Sequence, residues 1–178
     1  MRIISGKYKS KRITAPKNLP VRPTTDMAKE GIFNVINNDY YFENLVVLDL
    51  FSGTGNITYE FASRGAKSVI SIDNNYNCIK FIKSMVADLG FDLVSVIKSD
   101  VEKFITSTKS TFKIIYADPP FGMEGQEEMI SKILTGDILD EEGWLIWEHD
   151  PHHDFKNIPG FEQQRRYGSV NFSIFVRN

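Results

Sequence analysis

Apolar positions in this chain gather into short continuous runs separated by stretches of mixed polarity. The runs at 45–50, 68–72, 92–98, 112–117 and 143–148 are rich in Val, Ile and Leu and read as buried strands. Between them, 57–63, 75–89, 101–106 and 125–135 read as helices. Strand and helix alternating at this spacing predict right-handed crossovers and a mostly parallel sheet with helices on both faces. The pattern changes near the end: 161–167 and 169–176 flank Gly168 without helical period, so an antiparallel hairpin is expected to close the sheet, making seven strands. Ahead of the alternation, Ala28, Ile32, Val35 and Ile36 give the apolar stripe of a helix that Thr24, Thr25 or Asp26 could cap. Residues 1–20 read as a short β-hairpin with apolar pairs at Ile3-Ile4 and Ile13-Thr14. The expected organisation is a basic hairpin extension over 1–24, with 16–24 as linker, and one globular unit over 25–178.

Composition narrows the class. A chain of 178 residues that is 42% hydrophobic can bury a substantial core and is not a disordered polymer. No apolar run approaches the ~20 residues of a membrane span, and no charged-then-apolar leader precedes the first strand. The single cysteine, Cys78, excludes an internal disulfide framework and fits a reducing cytoplasm; it shares a stripe with Ile82, Met85 and Leu89, as a small buried hydrophobe would. The net charge of −2 conceals an asymmetry: residues 1–25 carry seven bases and no acid, leaving 14 bases against 23 acids in the rest. Such a segment is either a solvated charged arm or a nucleic-acid contact, and Tyr8 among the bases favours a folded contact surface. Arg2, Lys7, Lys9, Lys11, Arg12 and Arg22 are the candidates for meeting phosphates.

The candidate chemistry sits where strands end. After 112–117 come Asp118, Pro119, Pro120 and Phe121. Two prolines stop the ladder, because neither has an N–H to donate. The Asp118 carboxylate and the Pro119 carbonyl are thereby held at the carboxyl edge of the sheet beside an aromatic ring. Rigid acceptors next to a flat stacking surface suit a planar ring bearing an NH₂ group, a nucleobase amine. Upstream, the strand 45–50 runs into Phe51-Ser52-Gly53-Thr54-Gly55, where glycine lets a ligand approach the backbone ahead of a helix with free N–H groups. The next strand ends in Asp73, about 20 residues past the glycines, where an acid can hold ribose hydroxyls. Strand, glycines, helix, strand and Asp point to a cofactor bearing adenosine. Each acid also has a plainer role open to it. Asp73 could cap the helix starting near Asn75, Asp49 could bond loop amides, Asp100 could start a helix, and Phe121 could lie in the core. Glu148-His149-Asp150 with His152 and His153 matches no closed zinc pattern and reads as a solvated loop after the fifth strand, so no metal is expected.

These motifs, together with Met1-Arg2-Ile3-Ile4-Ser5-Gly6-Lys7-Tyr8 and the run Arg22-Pro23-Thr24-Thr25-Asp26 through Asn34, resemble the RsmD family. That family consists of S-adenosylmethionine-dependent enzymes that methylate the exocyclic N2 of a guanine in bacterial small-subunit ribosomal RNA. The resemblance implies a Rossmann-like class I methyltransferase fold. It implies Asp118, Pro119, Pro120 and Phe121 as the catalytic edge. It implies Asp49, Phe51, Ser52, Gly53, Thr54 and Gly55, Asp73 with Asn74, and Asp100 with Val101, around S-adenosylmethionine. Ribosomal RNA or the small-subunit particle is the implied partner, for a monomeric cytoplasmic enzyme. The family usually has glycine where Ser5 and Ser10 stand and arginine near Met27. The rivals are an adenine-N6 DNA methyltransferase, for which no separate target-recognition domain is visible, and a non-catalytic RNA- or cofactor-binding module. A dinucleotide oxidoreductase comes third, since the third glycine of its fingerprint is missing.

Overall fold

The computed structural model describes residues 1–16, 19 and 24–177. One sheet holds strands β1 (Val46–Leu50), β2 (Ser68–Asp73), β3 (Val94–Lys98), β4 (Phe112–Ala117), β5 (Leu139–His149), β6 (Phe161–Tyr167) and β7 (Val170–Val176). Their order across the sheet is β3-β2-β1-β4-β5-β7-β6. Strands β1 to β5 pair in parallel, and β7 lies antiparallel between β5 and β6. This is the Rossmann-like class I arrangement, with a carboxyl-terminal antiparallel hairpin, that the hydrophobic pattern and the family resemblance predict. The helices are α1 (Asp26–Asp39), α2 (Asn56–Ser63), α3 (Tyr76–Asp88), α4 (Val101–Ser107) and α5 (Gln126–Thr135). None is long and apolar enough to cross a membrane, among the described residues.

Alternation along the strands assigns the two faces. Val47, Ile114, Tyr116, Ile146 and Ile174 pack against Ile32, Phe33 and Ile36 of α1 and Ile57 and Phe61 of α2. Leu48, Ile115, Ala117, Leu145 and Trp147 face the other way, onto Val101 and Ile105 of α4 and Ile130 and Ile133 of α5. Thr25 caps α1 by accepting the Ala28 N–H at 3.2 Å. The stripe on α1 differs from the expected one at a single place, for Phe33 is buried while Val35 only flanks the cluster. Phe33 lies 4.6 Å from Phe61, ring centre to ring centre.

Strand β5 is longer than its apolar run. Leu139 already pairs with Phe112, and the ladder shifts register before resuming at Ile114 opposite Trp144. The polar residues between bulge outward, with Glu142 at a φ of 54°. At the far end Glu148 and His149 continue the ladder against Phe172 and Asn171 of β7. They are buried strand residues, not part of the solvated loop read from their charge.

The amino-terminal segment closes with one antiparallel bridge, Arg2 to Arg12, and docks on α2. Its anchor is Glu60, whose carboxylate accepts the N–H groups of Ile4 and Ser5 at 2.8 and 3.0 Å. Lys29 and Arg64 stand against the same carboxylate at 3.3 and 2.8 Å. Lys29 is fully buried and also donates to the Arg2 carbonyl and to Asn56 Oδ1. Burial pushes its ammonium pKa down, against the pull of Glu60. Gly6, at φ 81°, lies so close to α2 that a Cβ there would sit 1.8 Å from the Ser63 carbonyl oxygen. Ser10, where the family usually has glycine, takes the left-handed conformation at φ 70°. The expected linker, 16–24, lies mostly outside the described residues.

Candidate active site

A cleft of about 670 Å³ opens at the carboxyl ends of the strands, where the strand order reverses between β1 and β4. Open α/β sheets bind ligands at this switch point, because the two crossovers leave in opposite directions and part the loops.

The first wall is the turn after β1. Phe51 and Gly53 take φ values of 57° and 54°. Gly55, at φ 78°, ends the turn as the residue preceding α2, and a Cβ on it would meet the Tyr59 ring at 2.6 Å. The first turn of α2 has no side-chain cap, and Asn56 and Ile57 line the cleft there. Asp73, at the end of β2, accepts the Gly53 N–H through Oδ2 at 2.8 Å and the Asn75 N–H through Oδ1 at 2.7 Å. The cap of α3 is Asn75, which accepts from Asn77 and Cys78 at 2.9 and 3.2 Å, so Asp73 does not cap that helix. Asp100 does cap α4, accepting the Lys103 N–H at 2.9 Å, and it is exposed on the cleft rim beside Val101. Asp49 is buried beneath the turn with the Thr58 hydroxyl donating to it. Burial pushes its carboxyl pKa up to about 7, Thr58 opposes that rise, and the charge of Asp73 adds to it.

The second wall is the edge of β4 and β5. Asp118, Pro119, Pro120 and Phe121 all line the cleft. Phe121 is 90% exposed and therefore not a core residue. The Asp118 carboxylate accepts no hydrogen bond from any described residue. Burial, then Glu148, then Asp49 hold its pKa well above the ordinary carboxylate range. Glu148 Oε2 accepts the Thr24 hydroxyl at 2.8 Å and also the Tyr116 hydroxyl. Glu148, Tyr116 and Thr24 are site residues that the sequence reading missed. Beyond Glu148, His149 accepts or donates at Ser173 Oγ, 2.9 Å away.

Of the residues expected around a cofactor, Asp49, Phe51, Ser52, Gly53, Thr54, Asp73, Asn74, Asp100 and Val101 line this one cleft, and Gly55 forms the turn beneath it. The basic residues do not. Lys7, Lys9, Lys11 and Arg12 are exposed on the amino-terminal segment, and Arg2 pairs with Asp26 at 3.3 Å. Arg22 lies outside the described residues. The segment nonetheless reaches the first wall, since the Thr54 hydroxyl donates to Met1 Sδ at 3.6 Å. The cleft itself carries six carboxylates (Asp49, Asp73, Asp100, Asp118, Glu148, Asp150) and, among the described residues, no Lys or Arg. A diphosphate would be repelled by such a lining. A cation, or a ligand rich in N–H and O–H donors, would be attracted.

The chain matches the model of the conserved hypothetical protein 95 family over residues 1–176, and it belongs to that family. It is 30% identical to the Bacillus subtilis protein YlbH, over 99% of each chain. It is 28% identical to the ribosomal RNA small subunit methyltransferase D of Escherichia coli, covering 99% of this chain and 90% of that relative. The solved structure of the Escherichia coli protein yhhF superposes with a TM-score of 0.87 at 23% identity, over 100% of this chain and 98% of that one.

Proposed function

We propose that this member of the conserved hypothetical protein 95 family methylates the exocyclic N2 of a guanine in small-subunit ribosomal RNA, with S-adenosylmethionine as methyl donor. The observation that carries the reading is the Asp118 edge. An acceptor carboxylate with no hydrogen-bond partner among the described residues stands across an acidic cleft from a glycine turn and a ribose-type acid. A relative covering 99% of this chain is named ribosomal RNA small subunit methyltransferase D.

The first wall fits the cofactor. S-adenosylmethionine supplies an electrophilic methyl group on a sulfonium, with a second positive charge on its ammonium. The lining of six carboxylates, with no Lys or Arg among the described residues, suits both charges and disfavours a dinucleotide. Asp73, already fixed by the Gly53 and Asn75 N–H groups, has lone pairs left for two ribose hydroxyls. Asp49, with its raised pKa, is placed for the ammonium, whose charge would draw that pKa back down.

The second wall acts on the base. A guanine amine is a weak nucleophile because its lone pair is delocalised into the ring. Asp118 and the Pro119 carbonyl accept its two N–H bonds, which turns the lone pair toward the methyl carbon and stabilises the positive charge that develops on nitrogen. As the new N–C bond forms and the donor's C–S bond breaks, one amine proton leaves toward Asp118 or the water beyond it. Phe121 offers a stacking face for a base turned out of its helix or presented by a loop. The acidic cleft admits the base and not the backbone, so the phosphates are left to the bases on the amino-terminal segment.

Mass-spectrometric mapping of small-subunit ribosomal RNA, with and without the gene, tests the reading. One N2-methylguanosine is expected to vanish on deletion and return with the wild-type gene but not with Asp118→Ala. An unchanged N2-methylguanosine map, or loss of an N6-methyladenosine instead, contradicts it.

A further inference from the structure

Strands β4 and β5 pair Ala117 with Trp147, so the next step along the sheet sets Asp118 beside Glu148 at the edge of the cleft. Both lie on the same face as Tyr116, by the alternation of the strands. Glu148 is sunk there, 8% exposed, and its two oxygens are treated differently. Oε2 takes the hydroxyls of Thr24, just ahead of α1, and Tyr116, on the neighbouring strand β4. Oε1 accepts no hydrogen bond from any described residue, and Glu148 lines the cleft. A buried carboxylate is costly unless its lone pairs are met. Burial raises the pKa of both carboxyls; the charge of Glu148 raises that of Asp118 further, while the two hydroxyls oppose the rise at Glu148. Holding one oxygen with two hydroxyls while leaving the other toward a ligand site is the arrangement of an acceptor waiting for a donor.

Asp118 and the Pro119 carbonyl alone would serve any exocyclic amine. The purine and pyrimidine edges differ in the atom beside that amine. Guanine presents a second donor, N1–H, next to its N2 amine. Adenine presents the bare N1 lone pair next to N6, and cytosine the N3 lone pair next to N4. Resting on the function proposed above, we propose that Glu148 determines base specificity: its open oxygen accepts the guanine N1–H while Asp118 and Pro119 take the hydrogens of N2. Two adjacent acceptors then require two adjacent donors. Adenine or cytosine would set a lone pair against the Glu148 carboxylate. Thr24 and Tyr116 fix the carboxylate's orientation, so rotation cannot relieve that repulsion.

The test uses the full-length protein, S-adenosylmethionine, and a ribosomal RNA fragment with either guanine or 2-aminopurine at the methylated position. 2-Aminopurine keeps the amine on C2 but has an acceptor at N1. The wild type should prefer guanine by about ten- to a hundredfold in kcat/KM, the range of one charge-assisted hydrogen bond. In Glu148→Gln the side-chain amide can turn its NH₂ toward a purine N1, so the guanine rate should fall, the 2-aminopurine rate should rise, and their ratio should drop at least about tenfold. Unchanged cofactor affinity and melting temperature in the variant separate this outcome from a loss of fold. A ratio within about twofold of wild type in the folded variant would make Glu148 a structural acid and overturn the proposal. Should the variant not fold, the wild type still decides, because equal methylation of the two bases overturns the proposal by itself. Failure of the wild type to methylate the guanine RNA at all would instead overturn the function on which the proposal rests, and the proposal with it.

Discussion

The two walls of the cleft are finished to different degrees. On the side of β1 and β2 the carboxylates already have protein donors: Asp73 holds the Gly53 and Asn75 N–H groups, and Asp49 holds the Thr58 hydroxyl. On the side of β4 and β5, among the described residues, Asp118 has no donor and Glu148 uses one oxygen, and Phe121 stands 90% exposed. The first wall is held in shape by the protein's own donors. The second keeps acceptors open in a poorly solvated place, at a cost the fold must carry until a donor-bearing substrate arrives. That difference is what a cofactor seat and a catalytic edge should show, because only interactions realised fully in the transition state raise the rate.

The largest effect expected from disturbing either wall is on the second. Asp118→Ala should lower single-turnover methyl transfer by about 10²–10³, the usual cost of removing one preorganised group that stabilises developing charge. Rapid-quench measurement of methyl incorporation into ribosomal RNA checks it, and a near wild-type rate would remove Asp118 from the mechanism.

On the first wall the expected loss is smaller and falls on binding. Asp73→Ala removes charge-assisted bonds to ribose hydroxyls and also frees the Gly53 N–H. S-adenosylmethionine affinity should drop roughly ten- to a hundredfold by calorimetry. Unaltered affinity would assign Asp73 to holding the turn alone.

The smallest effect is on stability, and it runs the other way. The Asp118 carboxyl titrates above its ordinary range in the folded protein. Between its unfolded and folded pKa values the folded state therefore binds more protons, and wild-type stability falls as pH rises through that window. Asp118→Asn carries no such charge. It should melt higher than wild type at pH 8, on the order of 2–4 °C, the shift that about 1 kcal/mol gives in a chain of this size. The gap should close as pH falls toward 4. Scanning calorimetry at several pH values reads it, and a gap independent of pH would mean that the edge stores no electrostatic cost.

How much of this was legible in the sequence follows the range of the interactions. The apolar runs and their breakers are local signals, so the strands, the Pro119-Pro120 stop, the glycine turn and Asp73 could be placed from the chain alone. Glu148 could not, because its partners are far away in sequence: Thr24 is 124 residues distant and Tyr116 is 32. Its charged surroundings, Glu148 to Asp154, read as a solvated loop until β7 is seen extending the ladder to His149. Lys29 and Glu60 were equally hidden. Each is an ordinary charged residue in a helical pattern, and only docking of the amino-terminal segment turns them into a buried ion pair that holds the segment's backbone. The bases of that segment were visible as composition, while its docking on α2, through Gly6 and Ser63, was not.

The contrast between the walls is tested most directly by measuring cofactor affinity and single-turnover transfer at saturating S-adenosylmethionine on the same preparations of wild type, Asp73→Ala and Asp118→Ala. The account predicts a double dissociation. Asp118→Ala should bind the cofactor within about twofold of wild type and lose transfer by about 10²–10³. Asp73→Ala should bind about ten- to a hundredfold more weakly and recover most of its transfer rate once saturated. If both variants lost affinity and rate in the same proportion, the cleft would be one undivided site, and the assignment of one wall to the cofactor and the other to the base would be wrong.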